Sequence, residues 1–493
     1  MNLKVKLLKW SAGAPVAMLN KETAKKIGAQ IKDRIEIKTS SKKITTIIDT
    51  VGPLIKTNEI AVSSEIKNFL HLRKSQKVEV NLSLAPRSLK LIKKKLNKKT
   101  LSKKEIFEII RDIVSNSLSE AEIALFVSAM YHHGMNFKET IYLIEAILES
   151  GNKLKLKNKL VADKHSIGGV AGNRTTPIIV SICAAAGLTM PKNSSRAITS
   201  AAGTADVIET IAKVDFSIKE IKKIIQKTNA CLVWGGASGF VPADSKIIKI
   251  EKQLKIDPEA QLLASIMSKK LAVGSNYILI DIPYGKSAKV SKQKAEKLKI
   301  KFEKLGKYFH KKLKVVLTDG NQPIGDGIGP VLELIDVINI LDPKKQGPKD
   351  LEEKSLFLAA QIFELTGKTK KSQSFELAKN ILYSGKAFEK FKQIIATQRG
   401  DIKKLSKLKP AKFKKNIISR RQGKILEINN KKINMLARIA GCPTDKTAGI
   451  FLHAHVTEKI KKRQKLLTIY SESRSRLKES IKFYNDNKII KIK

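Results

Sequence analysis

The sequence predicts a multidomain protein of the α/β and α+β classes, with a strand-rich N-terminal domain, a helical domain, and a large mixed-sheet α/β domain with a strand-rich C-terminal portion. Three observations predict this architecture. The chain has 493 residues, more than a single hydrophobic core normally serves. The spacing of its apolar residues changes from strand-like to helix-like after residue 86. Beyond residue 160, short apolar strands alternate with helical stretches, which is typical of a sheet covered by helices.

Residues 1–86 form the predicted strand-rich extension. Polar and apolar residues alternate at 34–38 and again at 77–82, which favours half-buried strands. The Ala85-Pro86 step ends this pattern, and we place a domain boundary there.

The next segment is predicted to be a bundle of helices. Three capping boxes follow one another, formed by Ser102 with Glu105, Ser119 with Glu122, and Asn136 with Glu139. In each box the first side chain can accept a hydrogen bond from a free backbone N–H, while the glutamate reaches back to the cap residue. Apolar residues recur three and four apart behind each box, so helices are expected there.

From residue 157 to about 408 the chain is predicted to be α/β. The apolar runs at 277–281 and 314–318 are candidate strands of its sheet, and residues 350–400 are helical. Residues 409–493 return to strands and turns, for example at 424–428.

The net charge of +51 raises the question of nucleic-acid binding. The alternative is a lysine-rich composition combined with an anionic substrate. The lysines are spread along the whole chain and are not interleaved with aromatic residues, as a single-strand binding platform requires. We therefore expect no nucleic-acid partner.

The cysteines and apolar runs predict where the protein works. Cys183, Cys231 and Cys442 are far apart and odd in number, which fits a reducing compartment rather than a disulfide framework. The longest apolar run, around residues 178–190, is too short to span a bilayer. We expect a cytoplasmic protein with no membrane partner.

Residues 163–177 have the composition of an anion-binding loop. Gly168, Gly169 and Gly172 let backbone N–H groups approach a ligand closely, and Lys164 adds a positive charge. Hydroxyl donors are supplied by Ser166, Thr175 and Thr176. A helix predicted from Thr176 would direct its N-terminus toward the same anion. An ordinary glycine-rich turn remains an alternative on glycine spacing alone.

A second polar loop follows at residues 193–209. It is rich in small and hydroxyl side chains, and Arg196 could hold an oxyanion with its planar fork. Two such loops within about forty residues favour a binding site over simple turns.

Together these segments resemble the thymidine and pyrimidine-nucleoside phosphorylase family. The first matches its Asp-Lys-His-Ser-x-Gly-Gly pattern. The second matches Ser-x-Arg, Gly-Thr-x-Asp and a final Glu at Ser194, Arg196, Gly203, Thr204, Asp206 and Glu209. Residues 264–271 and the loop 318–323 match further motifs, so the resemblance covers residues 88 to 493. It implies a pentosyltransferase that uses inorganic phosphate and needs no metal or organic cofactor.

The resemblance also implies the domain plan. The helical domain is expected to be discontinuous, with residues 87–156 joined by 245–272. Residues 157–244 and 273–408 then form the phosphate-binding α/β domain, and 409–493 the C-terminal domain. The family places its active site in a cleft between helical and α/β domains and forms dimers or larger assemblies. A homo-oligomer is therefore expected.

Three departures from the nucleoside-cleaving branch indicate the substrate. Ile250 stands where that branch has a pyrimidine-reading arginine, and Lys286 and Lys289 are added in the loop 283–289. Extra cations there suit a 5′-phosphate. The third departure is the N-terminal extension. The resemblance therefore implies cleavage of AMP, and of monophosphates such as CMP and UMP, to the free base and ribose 1,5-bisphosphate in nucleotide catabolism and salvage. The alternative is a thymidine or pyrimidine-nucleoside phosphorylase.

The site residues are carried over from the matching motifs. The implied phosphate-binding residues are Lys164, Ser166, Ser194 and Thr204. The implied substrate-binding residues are Gly169, Ser195, Arg196, Ala197, Ile198, Thr199, Ser200, Thr204, Ser265 and Lys289. Of the adjacent pair Lys269 and Lys270, one stem is expected to be solvated and the other packed.

The implied proton donor to the leaving base is Asp257. A carboxyl group can serve as this acid only if burial raises its pKa. On residue pattern alone, a helix cap is the favoured role for Asp257 before Pro258. His165 is the alternative acid, or else a neutral, hydrogen-bonded loop histidine. His453 and His455 are expected to be structural, on one face of a strand, rather than metal ligands.

Overall fold

The computed structural model describes residues 1–8, 11, 15–156, 158–197, 200–236 and 238–493. The chain folds into two compact units. Unit 1 contains Met1–Gly151 and Pro242–Ser265, and unit 2 contains Asn152–Val241 and Ile266–Lys493. The chain therefore passes between the units three times.

The elements of residues 1–234 follow in chain order. They are β1 (Asn2–Leu7), β2 (Val16–Asn20), α1 (Lys21–Lys26), β3 (Arg34–Lys38), β4 (Lys43–Val51), β5 (Glu59–Val62), α2 (Ser64–Leu70), β6 (Lys77–Leu82), α3 (Ser88–Leu96), α4 (Lys103–Val114), α5 (Glu120–His133), α6 (Phe137–Glu149), β7 (Ala162–Ser166), α7 (Thr175–Ala185), β8 (Met190–Ser194), α8 (Thr204–Ile208), α9 (Ile218–Thr228) and β9 (Ala230–Trp234).

The remaining elements complete both units. They are α10 (Pro242–Leu254), α11 (Glu259–Ala272), β10 (Tyr277–Tyr284), α12 (Lys292–Tyr308), β11 (Lys312–Asp319), β12 (Gly327–Ile328), α13 (Pro330–Leu341), α14 (Lys349–Thr366), α15 (Lys371–Tyr383), α16 (Lys386–Thr397), a 3-10 turn (Ile402–Ser406), β13 (Phe413–Ile418), β14 (Gly423–Ile428), α17 (Asn430–Ala440), β15 (Gly449–Leu452), β16 (Lys459–Ile460), β17 (Lys465–Ser471), α18 (Arg474–Asp486) and β18 (Ile490–Ile492).

The N-terminal strands of unit 1 close into a barrel in the order β1-β5-β2-β4-β3-β6. The alternation predicted for β3 and β6 is confirmed, since Ile35, Ile37, Val78 and Val80 are buried in the barrel core. Closure removes the free sheet edges that an open sheet of this length would expose.

The helical part of unit 1 contains α3, α4, α5, α6 and α10. The three predicted capping boxes are all present at the N-termini of α4, α5 and α6. Helix α10 packs on α4 and α5. There Ile250 is 2% exposed and belongs to the core of unit 1.

The α/β part of unit 2 contains two sets of parallel strands. One sheet has the order β11-β10-β7, and β8 pairs with β9. Helices such as α7, α14 and α16 pack together against them around a shared apolar core. Antiparallel pairing begins at β12, which pairs with β15.

The C-terminal segment of unit 2 carries the antiparallel sheet β12-β15-β17-β13 and the smaller sheet β16-β14-β18. The segment is rich in strands as expected, and it also contains two helices that the sequence pattern did not predict, α17 and α18. Each begins at a side-chain cap, Asn429 or Ser473, that accepts a hydrogen bond from the first turn. Within the described residues, no helix has the length and apolar character needed to cross a membrane.

Candidate active site

The predicted anion-binding loops of unit 2 follow the carboxyl ends of parallel strands. The loop 167–174 follows β7, and the loop 195–203 follows β8. The loop 285–291 follows β10, which pairs with β7 in parallel. Open α/β sheets bind ligands outside the carboxyl ends of their strands, so these loops have the expected position.

Lys164 and Ser166 share one side of β7, since side chains alternate along a strand. Lys164 is 1% exposed, and its Nζ donates a hydrogen bond to Thr175 Oγ1 at 2.8 Å. Burial lowers the pKa of Lys164 to about 8, even though Asp281 lies nearby and favours the charged form. This ammonium group is therefore poorly solvated and suited to an anionic ligand.

The hydroxyl of Thr175 stands at the first residue of α7. The helix begins one residue earlier than predicted from the sequence. Helix N-termini stabilise anions through their free N–H groups. Lys164, Thr175 and this helix end thus form one cationic corner.

The other face of β7 carries a buried charge network. Asp163 Oδ2 accepts a 2.6 Å hydrogen bond from Lys270, and Asp163 Oδ1 lies 3.5 Å from Lys192 Nζ. Lys192 also donates to the carbonyl of Lys164 at 2.6 Å. Burial lowers the pKa of Lys270 to about 7 despite the partner Asp163. Both Lys269 and Lys270 are buried, so the expectation that one of them is solvated was wrong.

His165 lies in β7 on this second face rather than in a loop. Burial and the charges of nearby lysines hold the pKa of His165 well below its usual range, so it is neutral. Its Nδ1 is buried and makes no hydrogen bond within the described residues. The neutral state was expected, but the strand location and the unbonded Nδ1 were not.

The loop after β8 is folded around Asp206. Its Oδ2 accepts hydrogen bonds from the backbone N–H groups of Ala197 (2.7 Å) and Gly203 (2.8 Å). Thr204 Oγ1 accepts from Arg174 at 2.9 Å, and Arg174 is itself paired with buried Glu333. These contacts bring both loops of the sequence motif into one network.

Arg196 was predicted to hold an oxyanion, but in the structure its guanidinium group binds the carboxylate of Glu209. Its two terminal nitrogens donate to Glu209 at 2.6 and 2.5 Å, and its guanidinium stacks over Trp234. The hydrogen bonds from Arg196 lower the pKa of Glu209 to about 2. The planar fork is thus used to shape the loop.

The other predicted residues of this loop are distributed as follows. Ser194 is 7% exposed and donates to the Val233 carbonyl at 3.2 Å. Ser195 is half-buried, and Ser200 donates to the Ala202 carbonyl at 3.0 Å. Ile198 and Thr199 lie outside the described residues.

Gly169 and Lys289 are brought together by the structure. Gly169 has a φ of +92°, and a Cβ atom there would lie 2.5 Å from the backbone nitrogen of Lys289. The loops after β7 and β10 therefore touch through a position that only glycine can occupy. Exposed Lys289 lines a cavity of about 420 Å³ with Lys286, Lys292, Lys431, Asn321 and neighbouring residues.

Asp257 and Ser265 belong to unit 1. Asp257 is exposed two residues before α11, and Ser265 is half-buried on that helix. The Asp257 carboxyl group was expected to be buried, but within unit 1 it is exposed.

The two C-terminal histidines follow the end of β15 and bind protein groups. His453 Nε2 lies 2.7 Å from Thr468 Oγ1, and His455 Nε2 lies 2.8 Å from Asp326 Oδ1. The described residues contain no cluster of three His, Cys, Asp or Glu side chains that could hold a metal ion.

Sequence reasoning missed several of these groups. Lys192 and Asp281 are charged residues inside buried strands, a signal that was present in the sequence. Lys354, which lies 3.6 Å from Asp281, carried no such signal because it stands on a helix with several other charges.

Family models match three parts of the chain. The helical bundle domain of a glycosyl transferase family matches residues 89–151, and the a/b domain of that family matches residues 158–388. The C-terminal domain of pyrimidine nucleoside phosphorylase matches residues 424–491.

Full-length relatives decide the family. The AMP phosphorylase of Methanococcus aeolicus is 40% identical over 491 residues, which is 99% of this chain and 97% of that protein. The AMP phosphorylase of Thermococcus sibiricus is 42% identical over 487 residues, covering 98% and 96%. The chain belongs to the AMP phosphorylase family. The AMP phosphorylase of Pyrococcus furiosus is similar to the same extent, at 41% identity over 487 residues.

The fold is also found outside the AMP phosphorylase family. Anthranilate phosphoribosyltransferase from Thermus thermophilus aligns with a TM-score of 0.52 over 63% of this chain and 99% of its own, at 19% identity. That likeness concerns the fold alone.

Proposed function

We propose that this protein catalyses the phosphorolysis of AMP. A phosphate oxygen bonds to C1′ as the C1′–N9 bond breaks, and adenine leaves with a proton, so the products are adenine and ribose 1,5-bisphosphate. The main structural support is the buried Lys164 ammonium group on a strand of the parallel sheet. The full-length relatives of the chain are named AMP phosphorylases. CMP and UMP are the other proposed substrates.

The proposed phosphate-binding residues are Lys164, Ser166, Ser194 and Thr204. Their role is to hold the nucleophile close to C1′ and to stabilise charge as the bond breaks. The contact of Lys164 with Thr175 supports adding Thr175 to this group. The Arg174–Thr204 hydrogen bond supports a fixed position for the Thr204 hydroxyl.

The proposed nucleotide-binding residues are Gly169, Ser195, Ala197, Ile198, Thr199, Ser200, Ser265 and Lys289, with Arg196 supporting their loop. The contact between Gly169 and Lys289 supports a common role for their loops. The lysines that share the cavity with Lys289 support recognition of a 5′-phosphate. The burial of Ile250 supports AMP over a pyrimidine nucleoside, because this side chain offers no contact to a base.

Asp257 is the proposed proton donor to the leaving base, on the strength of its place in the motif. Its exposure in unit 1 means that the bound base has to supply the apolar surroundings that this acid needs. The neutral state of His165 supports Asp257 over this histidine as the acid.

The proposed setting is a cytoplasmic homo-oligomer, a dimer or larger. The three cysteines are buried and free, which supports a reducing compartment. No nucleic acid or membrane is proposed as a partner.

The test compares base release from AMP and from thymidine, each with and without phosphate, by chromatography of the products. We expect phosphate-dependent adenine release from AMP and much slower release of thymine. Faster cleavage of thymidine would favour the alternative, a pyrimidine-nucleoside phosphorylase. The family match of the C-terminal domain is the reason to include this comparison. In the same assay, Asp257→Asn should lower kcat by about 100-fold or more while the protein stays folded.

A further inference from the structure

Lys354 on α14 ends beside the phosphate-binding corner of unit 2, although it belongs to no sequence motif of the site. Its side chain is 9% exposed, and its Nζ lies 3.6 Å from Asp281 Oδ2. Among the described residues, this Nζ is buried and has no hydrogen-bond partner. A buried ammonium group normally requires close pairing.

Asp281 on β10 is shared by two lysines. Its side chain is fully buried, and its Oδ2 lies 3.7 Å from Lys164 Nζ and 3.6 Å from Lys354 Nζ. Its Oδ1 accepts a 2.6 Å hydrogen bond from Thr318. Burial alone would raise the pKa of Asp281, but the charges of Lys354 and Lys164, together with hydrogen bonding from Thr318, lower the pKa. The carboxyl group is therefore ionised.

One carboxylate and two ammonium groups leave a surplus positive charge in this corner. This uncompensated buried charge destabilises the folded protein unless an anion is bound. Lys164 also donates to Thr175, and it lies as far from the Asp281 carboxylate as Lys354 does, so both lysines form long ion pairs with this group. A second cation that stays with the carboxylate lowers the cost of releasing Lys164 from Asp281 to a ligand.

We propose that Lys354 is the standing counter-ion of Asp281 and so keeps the Lys164 ammonium available to the anionic ligand, which makes Lys354 a positioning residue of the phosphate site. When phosphate binds, Lys164 turns to the phosphate and Asp281 remains paired with Lys354. Without Lys354, the Asp281 carboxylate competes with phosphate for Lys164. The identity of the anion as inorganic phosphate rests on the proposed function.

The test measures binding of inorganic phosphate to the purified full-length chain by calorimetry. Lys354→Met should weaken phosphate binding by about tenfold or more. Adding Asp281→Asn should restore at least part of the lost affinity, because the competing carboxylate charge is then gone. The matched control is Lys349→Met, which changes an exposed lysine on the same helix and should leave the affinity unchanged.

Each outcome bears on the inference. Unchanged phosphate affinity in Lys354→Met overturns it. A double variant that binds no better than Lys354→Met also overturns it, because this pattern indicates direct contact or a packing role for Lys354. If Lys354→Met does not fold, the double variant, which lacks both charges, is expected to fold and is measured instead. Phosphate affinity close to that of the wild type supports the inference, and a loss of about tenfold or more overturns it.

Turnover gives a second measurement. With AMP saturating, Lys354→Met should raise KM for phosphate more than it lowers kcat. A fall in kcat with unchanged KM would contradict the positioning role. A wild-type chain that binds phosphate but releases no adenine from AMP would refute the proposed function and leave the binding test intact.

Discussion

Buried lysines distinguish the candidate site at the scale of single residues. Lys164, Lys192 and Lys270 are nearly inaccessible to solvent, and burial lowers the pKa of each. Together with Lys354 they carry four formal positive charges against two on Asp163 and Asp281. Lys164 and Lys354 have only Asp281 as a nearby carboxylate among these residues, and an anion bound at their corner would offset the excess charge, so the arrangement supports anion binding.

A glycine sets the spacing between two of the loops. We expect Gly169→Ala to raise KM for AMP by about tenfold or more, because the new Cβ would displace the backbone of Lys289. Steady-state kinetics with AMP as the varied substrate measure this effect.

The control for Gly169→Ala is Gly367→Ala. Gly367 also has a positive φ, of +70°, but a Cβ there meets no atom within 4 Å. Its replacement should cost about 1 kcal/mol of stability from backbone strain and leave KM unchanged. An equal rise of KM in both variants would show that strain, rather than the contact with Lys289, is responsible.

At the scale of secondary-structure elements, a buried ion pair joins the first and last helices of the N-terminal helical segment. Lys95 on α3 and Glu139 on α6 meet at 2.8 Å with side chains 5% and 2% exposed. The same carboxylate accepts hydrogen bonds from the backbone N–H groups of Leu101 and Asn136. Glu139 therefore completes a capping box and links helices at once.

Removing one partner of this pair should be costly. We expect Lys95→Met to lower the free energy of unfolding of unit 1 by about 3–5 kcal/mol, because it leaves the Glu139 charge buried without its cation. Urea denaturation followed by circular dichroism measures the change.

The neighbouring Lys94→Met variant serves as the control. Lys94 pairs with Glu105 at the surface, with 36% of its side chain exposed, so its loss should cost about 0–1 kcal/mol. Equal destabilisation by the two substitutions would contradict the importance of burial.

At the scale of the whole molecule, charge is the dominant property. The chain carries 96 Lys and Arg residues against 45 Asp and Glu residues, for a net charge of +51. The excess positive charges repel one another in the folded state. Salt at 0.1 M largely screens the repulsion between exposed charges that are more than about 10 Å apart.

We therefore expect the Tm to rise as NaCl is increased from low to moderate concentration. Differential scanning fluorimetry measures the change, and KCl at equal ionic strength is the control for a specific ion effect. A Tm that falls with salt would mean that attractive ion pairs outweigh the net repulsion.

Local patterns were sufficient where neighbouring residues decide the structure. The strand periods at 34–38 and 77–82 and the three capping boxes all appear as predicted, because each depends on interactions within a few residues. The phosphorylase motifs were equally legible, because their glycine, hydroxyl and lysine residues are close in sequence.

The sequence by itself therefore determined the family, the class of fold and most candidate ligands of the phosphate. The tertiary structure alone decided that the N-terminal strands close into a barrel, that the Arg196 fork binds Glu209, and that Lys354 stands beside Asp281. The barrel and the Lys354–Asp281 pair depend on contacts between segments far apart in sequence, and the choice of Glu209 by Arg196 depends on how the loop between them folds. Neither leaves a signature in the local spacing of residues.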